Sequence, residues 1–182
     1  MGPKKGNPIS EVILPLIHQV ACIQMNLSDA YLYLTYLYSD DSTATGFGAY
    51  VQDKSLTSWF YAQSVLKYIT GRGNKVCIPD IQRPEIDTQG RIQCAMAALN
   101  MEKELKVILH RLLDLALNIK DNQTLNHSKD WIFKQQRNEE RLAREIDELK
   151  KKEQAQNRAV EDETYLQGSP RKMPRREPSA SK

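Results

Sequence analysis

The stretch from Arg91 to Lys120, RIQCAMAALNMEKELKVILHRLLDLALNIK, constrains the fold more than any other part of the chain. At alternating spacings of three and four it gives Ala95, Ala98, Glu102, Leu105, Leu109, Leu112, Ala116 and Ile119. That spacing is the seam of an amphipathic helix, apolar at nearly every step. Lys103, Glu104, Lys106, His110 and Arg111 occupy the remaining, solvated faces. The exception on the seam is Glu102. A carboxylate on a buried stripe must be protonated, paired or bound to a cation. The alternative is that it sits at the edge of the seam and reaches water.

Three further helices follow from the same periodicity. Ser10 is a candidate cap for the first, whose buried face is marked by Ile13, Leu16, Ile17, Val20, Ile23, Leu27, Tyr31, Leu34 and Tyr38. Pro15 kinks its early turns or delays its start. After the polar break SDDSTATG, a second helix is expected from about Ala49 to Ile69, stopped by the GRGN turn at Gly71 to Asn74. Pro79 and Pro84 then impose an extended run before Arg91, long enough to carry the chain from one end of a bundle to the other. Asp121 to Ser128 reads as a polar loop. A fourth helix is expected from Lys129 to Lys152, with Ile132, Gln136, Glu139, Ala143 and Ile146 on its seam. The expected organisation is a disordered leader over 1–9, an all-α four-helix bundle with one long crossover over 10–152, and a polar, basic, disordered tail over 153–182.

Charge and cysteine usage exclude several classes. The 182 residues carry a net charge of only +3, without the basic stripe through the fold that a dedicated nucleic-acid binder shows. The short basic tail reads as a solvated segment. Cys22, Cys77 and Cys94 are odd in number and widely spaced, which points to reduced thiols and a cytoplasmic setting. No stretch is long and apolar enough to span a membrane, and neither a secretory signal core nor a myristoylation pattern is present at the start.

Glu102, Gln136 and Glu139 thus interrupt the apolar seams of two helices. Oxygen ligands inside a bundle suit hard cations or iron. A di-iron carboxylate bundle also uses Glu-x-x-His pairs, which place both ligands on one helix face. The residues three positions before His18, His110 and His127 are Pro15, Val107 and Thr124, so that pattern is absent. His18 and Cys22 form an i, i+4 pair better read as packing, and the tyrosines from Tyr31 to Tyr38 likewise.

Four segments together resemble the ferritin family. QMNL at Gln24 to Leu27 with the tyrosine run resembles the first ferritin helix. RGNKVCIPDIQRP resembles the start of the crossover, AMAALNMEK the third-helix motif, and WIFKQQRNEERLA the fourth-helix motif of bacterial-type members. The resemblance covers roughly residues 10 to 150. It implies a bundle subunit of an iron-storing cage, with iron (Fe2+/Fe3+) as cargo and a homo-oligomer or co-assembly with other ferritin subunits as the partner state. It implies neither specific nucleic-acid binding nor membrane binding.

Carried over residue by residue, the resemblance implies that Glu102 and Gln136 are retained ligand positions and that Glu139 resembles the extra carboxylate of bacterial-type members. The first-helix Glu falls on Ser28, or on Asn26 with a shifted gap. The second-helix Glu-x-x-His falls on Ser58 and Tyr61. A remnant of Glu102, Gln136 and Glu139 would hold a cation weakly, and ferroxidase activity is expected to be lost or strongly impaired. The polar AQNRAVEDETYLQG stands where the family has a short fifth helix, which puts the closed cage in question. Two other readings stand beside the iron-storage subunit: a non-catalytic interaction protein without iron storage, and an active ferroxidase with rearranged ligands.

Overall fold

A computed structural model describes residues 7–39, 45–77 and 90–168. Its four helices are α1 (Leu14–Leu37), α2 (Thr45–Gly71), α3 (Arg91–Asn118) and α4 (Asn122–Gly168). Together they form the expected all-α four-helix bundle. None of the helices is long and apolar enough, over the described residues, to cross a membrane.

The third-helix seam is buried as its periodicity predicts: Ala95, Ala98, Glu102, Leu105, Leu109, Leu112 and Ala116 all lie inside. Ile119 does not. It caps α3 and is 42% exposed, because the helix has already ended. At the front of the chain Pro15 falls in the first turn of α1, where its missing N–H costs nothing. The helix accordingly starts at Leu14, and Ser10 closes the turn before it by accepting from Ile13 N and Leu14 N through its carbonyl.

Helix directions follow from three contacts. Ser28 and Ser55 exchange hydroxyl-to-carbonyl hydrogen bonds of 2.9 Å across α1 and α2. Arg91, at the start of α3, stacks over Tyr38, just past the end of α1. Arg72, just after α2, pairs with Asp121, just after α3, at 3.1 Å. The last contact puts the ends of α2 and α3 together, so these two helices run parallel. A connection spanning the length of the bundle is therefore required between them. Most of the predicted crossover, residues 78–89, lies outside the described residues, as do 40–44.

Arg72 is the knot at this end of the bundle. Its guanidinium donates to both carboxylate oxygens of Asp121, to the Tyr68 hydroxyl at 2.7 Å, and to the Asn7 and Pro8 carbonyls. The turn after α2 holds the same strand from the other side, with Asn74 bonded both ways to Ile9. That turn passes through Gly73 at φ 81, where a side chain would be strained.

The fourth helix departs from expectation at both ends. It begins at Asn122 rather than Lys129 because Asp121 caps it, accepting from Thr124 N at 3.1 Å and from the Thr124 hydroxyl at 2.8 Å. Thr124 and Ser128 are fully buried polar residues, paired with Tyr68 and with the Thr124 carbonyl. Their polarity makes the segment look like a loop. Near the other end, the helix passes the expected limit at Lys152 and runs to Gly168. Residues 151–161 are exposed throughout, so this extension leaves the bundle behind. Residues 169–182 of the expected disordered tail lie outside the described residues.

The Arg72–Asp121 pair carries a testable load. Burial alone would raise the Asp121 carboxyl, but hydrogen bonds from Arg72 and Thr124 hold it below its usual range. Its contribution to stability is then present above the unfolded value of about 3.9 and is lost as pH falls through the lower folded value. Arg72→Ala is expected to cost about 3 kcal/mol, since it leaves a half-buried carboxylate without its partner. Urea denaturation at neutral pH measures this, and the gap to wild type should close in acid.

Candidate functional site

The central feature of the core is a buried carboxylate with a hydrogen bond on each of its two oxygens. Glu102 is 1% exposed. Its Oε1 accepts from the Tyr31 hydroxyl of α1 at 2.5 Å. Its Oε2 accepts from Gln135 Nε2 of α4 at 2.5 Å, and the same amide reaches the Glu102 carbonyl at 2.6 Å. From α2 comes Lys54, 5% exposed, with its ammonium 5.9 Å from the Tyr31 ring centroid. All four helices therefore send a polar side chain to this point.

The electrostatics are those of a buried acid facing a buried base. Burial raises the Glu102 carboxyl, while Tyr31, Lys54 and Gln135 pull it back down and Glu139 adds repulsion. Burial lowers the Lys54 ammonium, opposed by attraction to Glu102 and Asp53 and reinforced by repulsion from Arg141. Tyr31, pressed against the carboxylate, has its hydroxyl pushed well above its ordinary range by burial and by Glu102. Tyr31 therefore stays a donor.

The glutamine that meets Glu102 is Gln135, not Gln136. Gln136 is exposed and lies in an open groove between α3 and α4, lined by Leu99, Lys103, Lys106, Glu139 and Glu140. The buried face of α4 runs Ser128, Gln135, Leu142, Ile146 and Leu149. This is a seven-residue repeat that puts Gln135 inside and leaves Gln136 about 100° round the helix. The expected seam residue Ala143 is displaced by Leu142 for the same reason. Glu139 stands at the rim, 19% exposed, with Lys106 3.0 Å from its Oε2. It feels Glu102 only as a repulsion.

The positions expected to have lost ligands are found as follows. Ser28 is buried against Ser55 on the α1–α2 contact, one turn before Tyr31. Asn26 is half-buried. Ser58 is 2% exposed. Tyr61 is half-buried under the ammonium of Lys134, at 5.4 Å. On α1, the residue one heptad before Tyr31 is Gln24, which is 8% exposed. Gln24, Tyr61, Leu109, Trp131, Gln135 and Asn138 line a cavity of about 20 Å³, room for one water. Gln135 Oε1 is buried and without a hydrogen-bond partner among the described residues, so a water there would satisfy it.

Tyr31, Lys54, Gln24 and Gln135 were thus not expected as a cluster. The heptad step from Gln24 to Tyr31 was available as a signal for the first pair. Nothing in the local sequence marks Lys54 as buried. Among the described residues no group of three or more His, Cys, Asp or Glu side chains is placed to hold a metal ion.

With this geometry in hand, the comparisons with known proteins are direct. The ferritin-like domain matches residues 15–152. The chain belongs to the ferritin family. It is 28% identical over 118 residues to a ferritin light chain, oocyte isoform, of Xenopus laevis, covering 64% of each chain. It is 34% identical over 98 residues to the ferritin light chain of Bos taurus, covering 52% of this chain and 56% of that one. To the bacterial non-heme ferritin of Staphylococcus epidermidis it is 23% identical over 103 residues, covering 57% and 61%. The chain spans under two thirds of the length of these relatives.

The raised Glu102 carboxyl gives a pH signature. A folded value above the unfolded one, about 4.3, means its contribution to stability is present below that value and lost as pH rises through the folded value. Glu102→Gln removes the term. The stability of the variant relative to wild type should therefore improve between about pH 4 and about pH 8, measured by urea denaturation at both. A difference that does not change with pH would show that the carboxylate carries no burial penalty.

Proposed function

We propose that this chain is an iron-storage subunit of the ferritin family whose own capacity to oxidise ferrous iron is lost or strongly impaired. The observation that carries this reading is the occupied state of Glu102. Both carboxylate oxygens already accept hydrogen bonds, and the Lys54 ammonium supplies the positive charge that a divalent ion would otherwise bring. The neighbouring Gln24, Ser58, Tyr61 and Gln135 are neutral, so they cannot balance two ferrous ions. Glu139 is the other carboxylate close enough to act on Glu102, and Lys106 claims it. The donor set does not fit a two-iron centre.

Iron storage itself rests on family membership, and the light-chain relatives favour a storage role. Glu139, with Gln136 and Glu140 beside it in the α3–α4 groove, is the stronger remnant for weak iron contact than Glu102. Assembly is supported by apolar side chains left outside the bundle. Leu32 and Tyr36 on α1 are 45% and 72% exposed, and Leu56 and Phe60 on α2 are 59% and 63% exposed. Each pair is spaced i, i+4, so each helix presents an apolar stripe away from the core. We read this α1–α2 layer as the surface that meets another ferritin-type subunit. The thiols of Cys22 and Cys77, outside any disulfide among the described residues, agree with a cytoplasmic setting.

Ferrous iron added in air to the purified protein should give ferric absorbance about 10- to 100-fold more slowly than an active ferritin, the scale expected when metal-site partners are lost. A fast rise would restore the reading of an active ferroxidase with rearranged ligands. On size-exclusion chromatography with light scattering, the protein alone or mixed with an active ferritin should elute in a cage-sized particle. The L56E/F60E double variant should shift to monomer without losing helicity. A wild-type chain that stays monomeric in both settings would favour a non-storing interaction protein.

A further inference from the structure

The outer flank of α4 carries Lys134, Arg137, Arg141 and Arg144, spaced three, four and three residues apart. That spacing keeps four cations on one side of the helix over about 15 Å. All four are exposed. Among the acids of α4, the exposed Glu140 stands inside the stripe, three residues after Arg137 and four before Arg144. Glu145 makes a loose 3.9 Å contact with Arg141. Among the described residues, Lys134, Arg137 and Arg144 have no ion pair. Asp130 and Glu148 stand one turn beyond each end and limit the stripe. Across the groove α2 contributes one acid, Asp53, and the partly offset cation Lys54.

The stripe is propped on aromatic rings. Arg141 sits 4.6 Å above the Tyr50 ring, Lys134 5.4 Å above Tyr61, and Arg137 5.9 Å from Phe133. Stacking of this kind holds long side chains in place and leaves their charge facing out. Tyr50 is 5% exposed, and its hydroxyl makes no hydrogen bond among the described residues. Burial and Glu102 raise that hydroxyl, with Arg141 and Arg144 acting against them. Arg141 therefore lies over a ring whose hydroxyl is an unpartnered donor among the described residues.

We infer that the α2–α4 flank binds a chain of linked phosphates. Cations repeating every 4.5–6 Å or so along a helix match successive anionic groups of a flexible chain, and arginine takes phosphate oxygens two at a time. A single-stranded nucleic acid offers the same charges but needs exposed rings on which to stack its bases. Here Tyr50 and Tyr61 are covered by the cations themselves, which leaves Phe133, 61% exposed, as the exposed ring that α4 offers beside the stripe, one ring where successive bases need several. The flank is therefore a phosphate-chain site. The basic tail beyond residue 168 is a second possible source of positive charge, and the experiment separates the two.

Isothermal titration of the full-length protein with inorganic tripolyphosphate should show binding that weakens on the order of 20-fold between about 50 and 200 mM salt, from a slope of ~0.7 for each of three neutralised phosphates. Inorganic phosphate should bind at least about tenfold more weakly, because it engages one cation at a time. R137E/R144E touches no core contact and should keep the wild-type melting profile while losing at least about tenfold in affinity. R137K/R144K should retain most of it. Changing Arg171, Lys172, Arg175 and Arg176 to Gln should leave binding in place. The inference is overturned if R137E/R144E binds like wild type, if the tail variant alone loses binding, or if inorganic phosphate binds as tightly as tripolyphosphate. It is also overturned if oligo-dT binds more tightly than tripolyphosphate, which would make nucleic acid the occupant.

Discussion

One buried carboxylate organises the interior of this bundle. Glu102 of α3 accepts from Tyr31 of α1 and Gln135 of α4 and faces Lys54 of α2. An unpaired ion at 1% exposure would be untenable. The fold therefore has to bring donors to it from its neighbours, and the relative heights of the helices follow. Hydrophobic packing alone is less demanding, since Leu105, Leu109 and Leu112 tolerate many mutual offsets while the two short hydrogen bonds to Glu102 tolerate few. The Arg72–Asp121 knot at the far end fixes the same helices a second time.

The chemistry of the site changes with the identity of the positive charge. A metal ion in a bundle core is shared by several anionic ligands and can leave or change oxidation state. A lysine ammonium is tethered, carries one charge and does no redox chemistry. The Lys54 ammonium acts on Glu102 through space, and the side chains at Gln24, Ser58 and Tyr61 add no further acid.

Much of this was legible before any coordinates. The third helix could be read almost residue by residue, because alanines and leucines at spacings of three and four leave one consistent face, and Glu102 stood out as the interruption. The length of the Pro-containing segment implied a crossover, and the Arg72–Asp121 contact requires one. The fourth helix was harder. It has two adjacent glutamines, and the apolar residues just before them, Trp131, Ile132 and Phe133, are consecutive and so fix no phase. Choosing Gln136 over Gln135 shifted the inferred face by one residue. Only Leu142, Ile146 and Leu149 downstream settle the register in favour of Gln135. Its start was masked for a different reason. Thr124 and Ser128 are polar by composition but buried in fact, satisfied by Tyr68 and by a backbone carbonyl. Lys54 was invisible in principle, since a lone lysine gives no sign that its tertiary partner is an acid on another helix.

Retention of Glu102 in such a site has a physical rationale that needs no metal. The buried face of α4 repeats every seven residues, so sliding that helix by one heptad keeps an apolar face against the core. It would, however, replace Gln135 by Leu142 or Ser128. Leucine offers no donor, and the shorter serine cannot reach both Oε2 and the main-chain carbonyl as the glutamine amide does. An ionised carboxylate stripped of that donor costs more than the one to three kcal/mol or so of an ordinary unsatisfied buried group. The slipped arrangement is penalised even though its hydrophobic contacts are nearly as good. Polar residues inside coiled coils and bundles fix register in this way at some expense of stability. Here the expense is visible in the raised carboxyl of Glu102 and the lowered ammonium of Lys54. The gain is one alignment of the four helices.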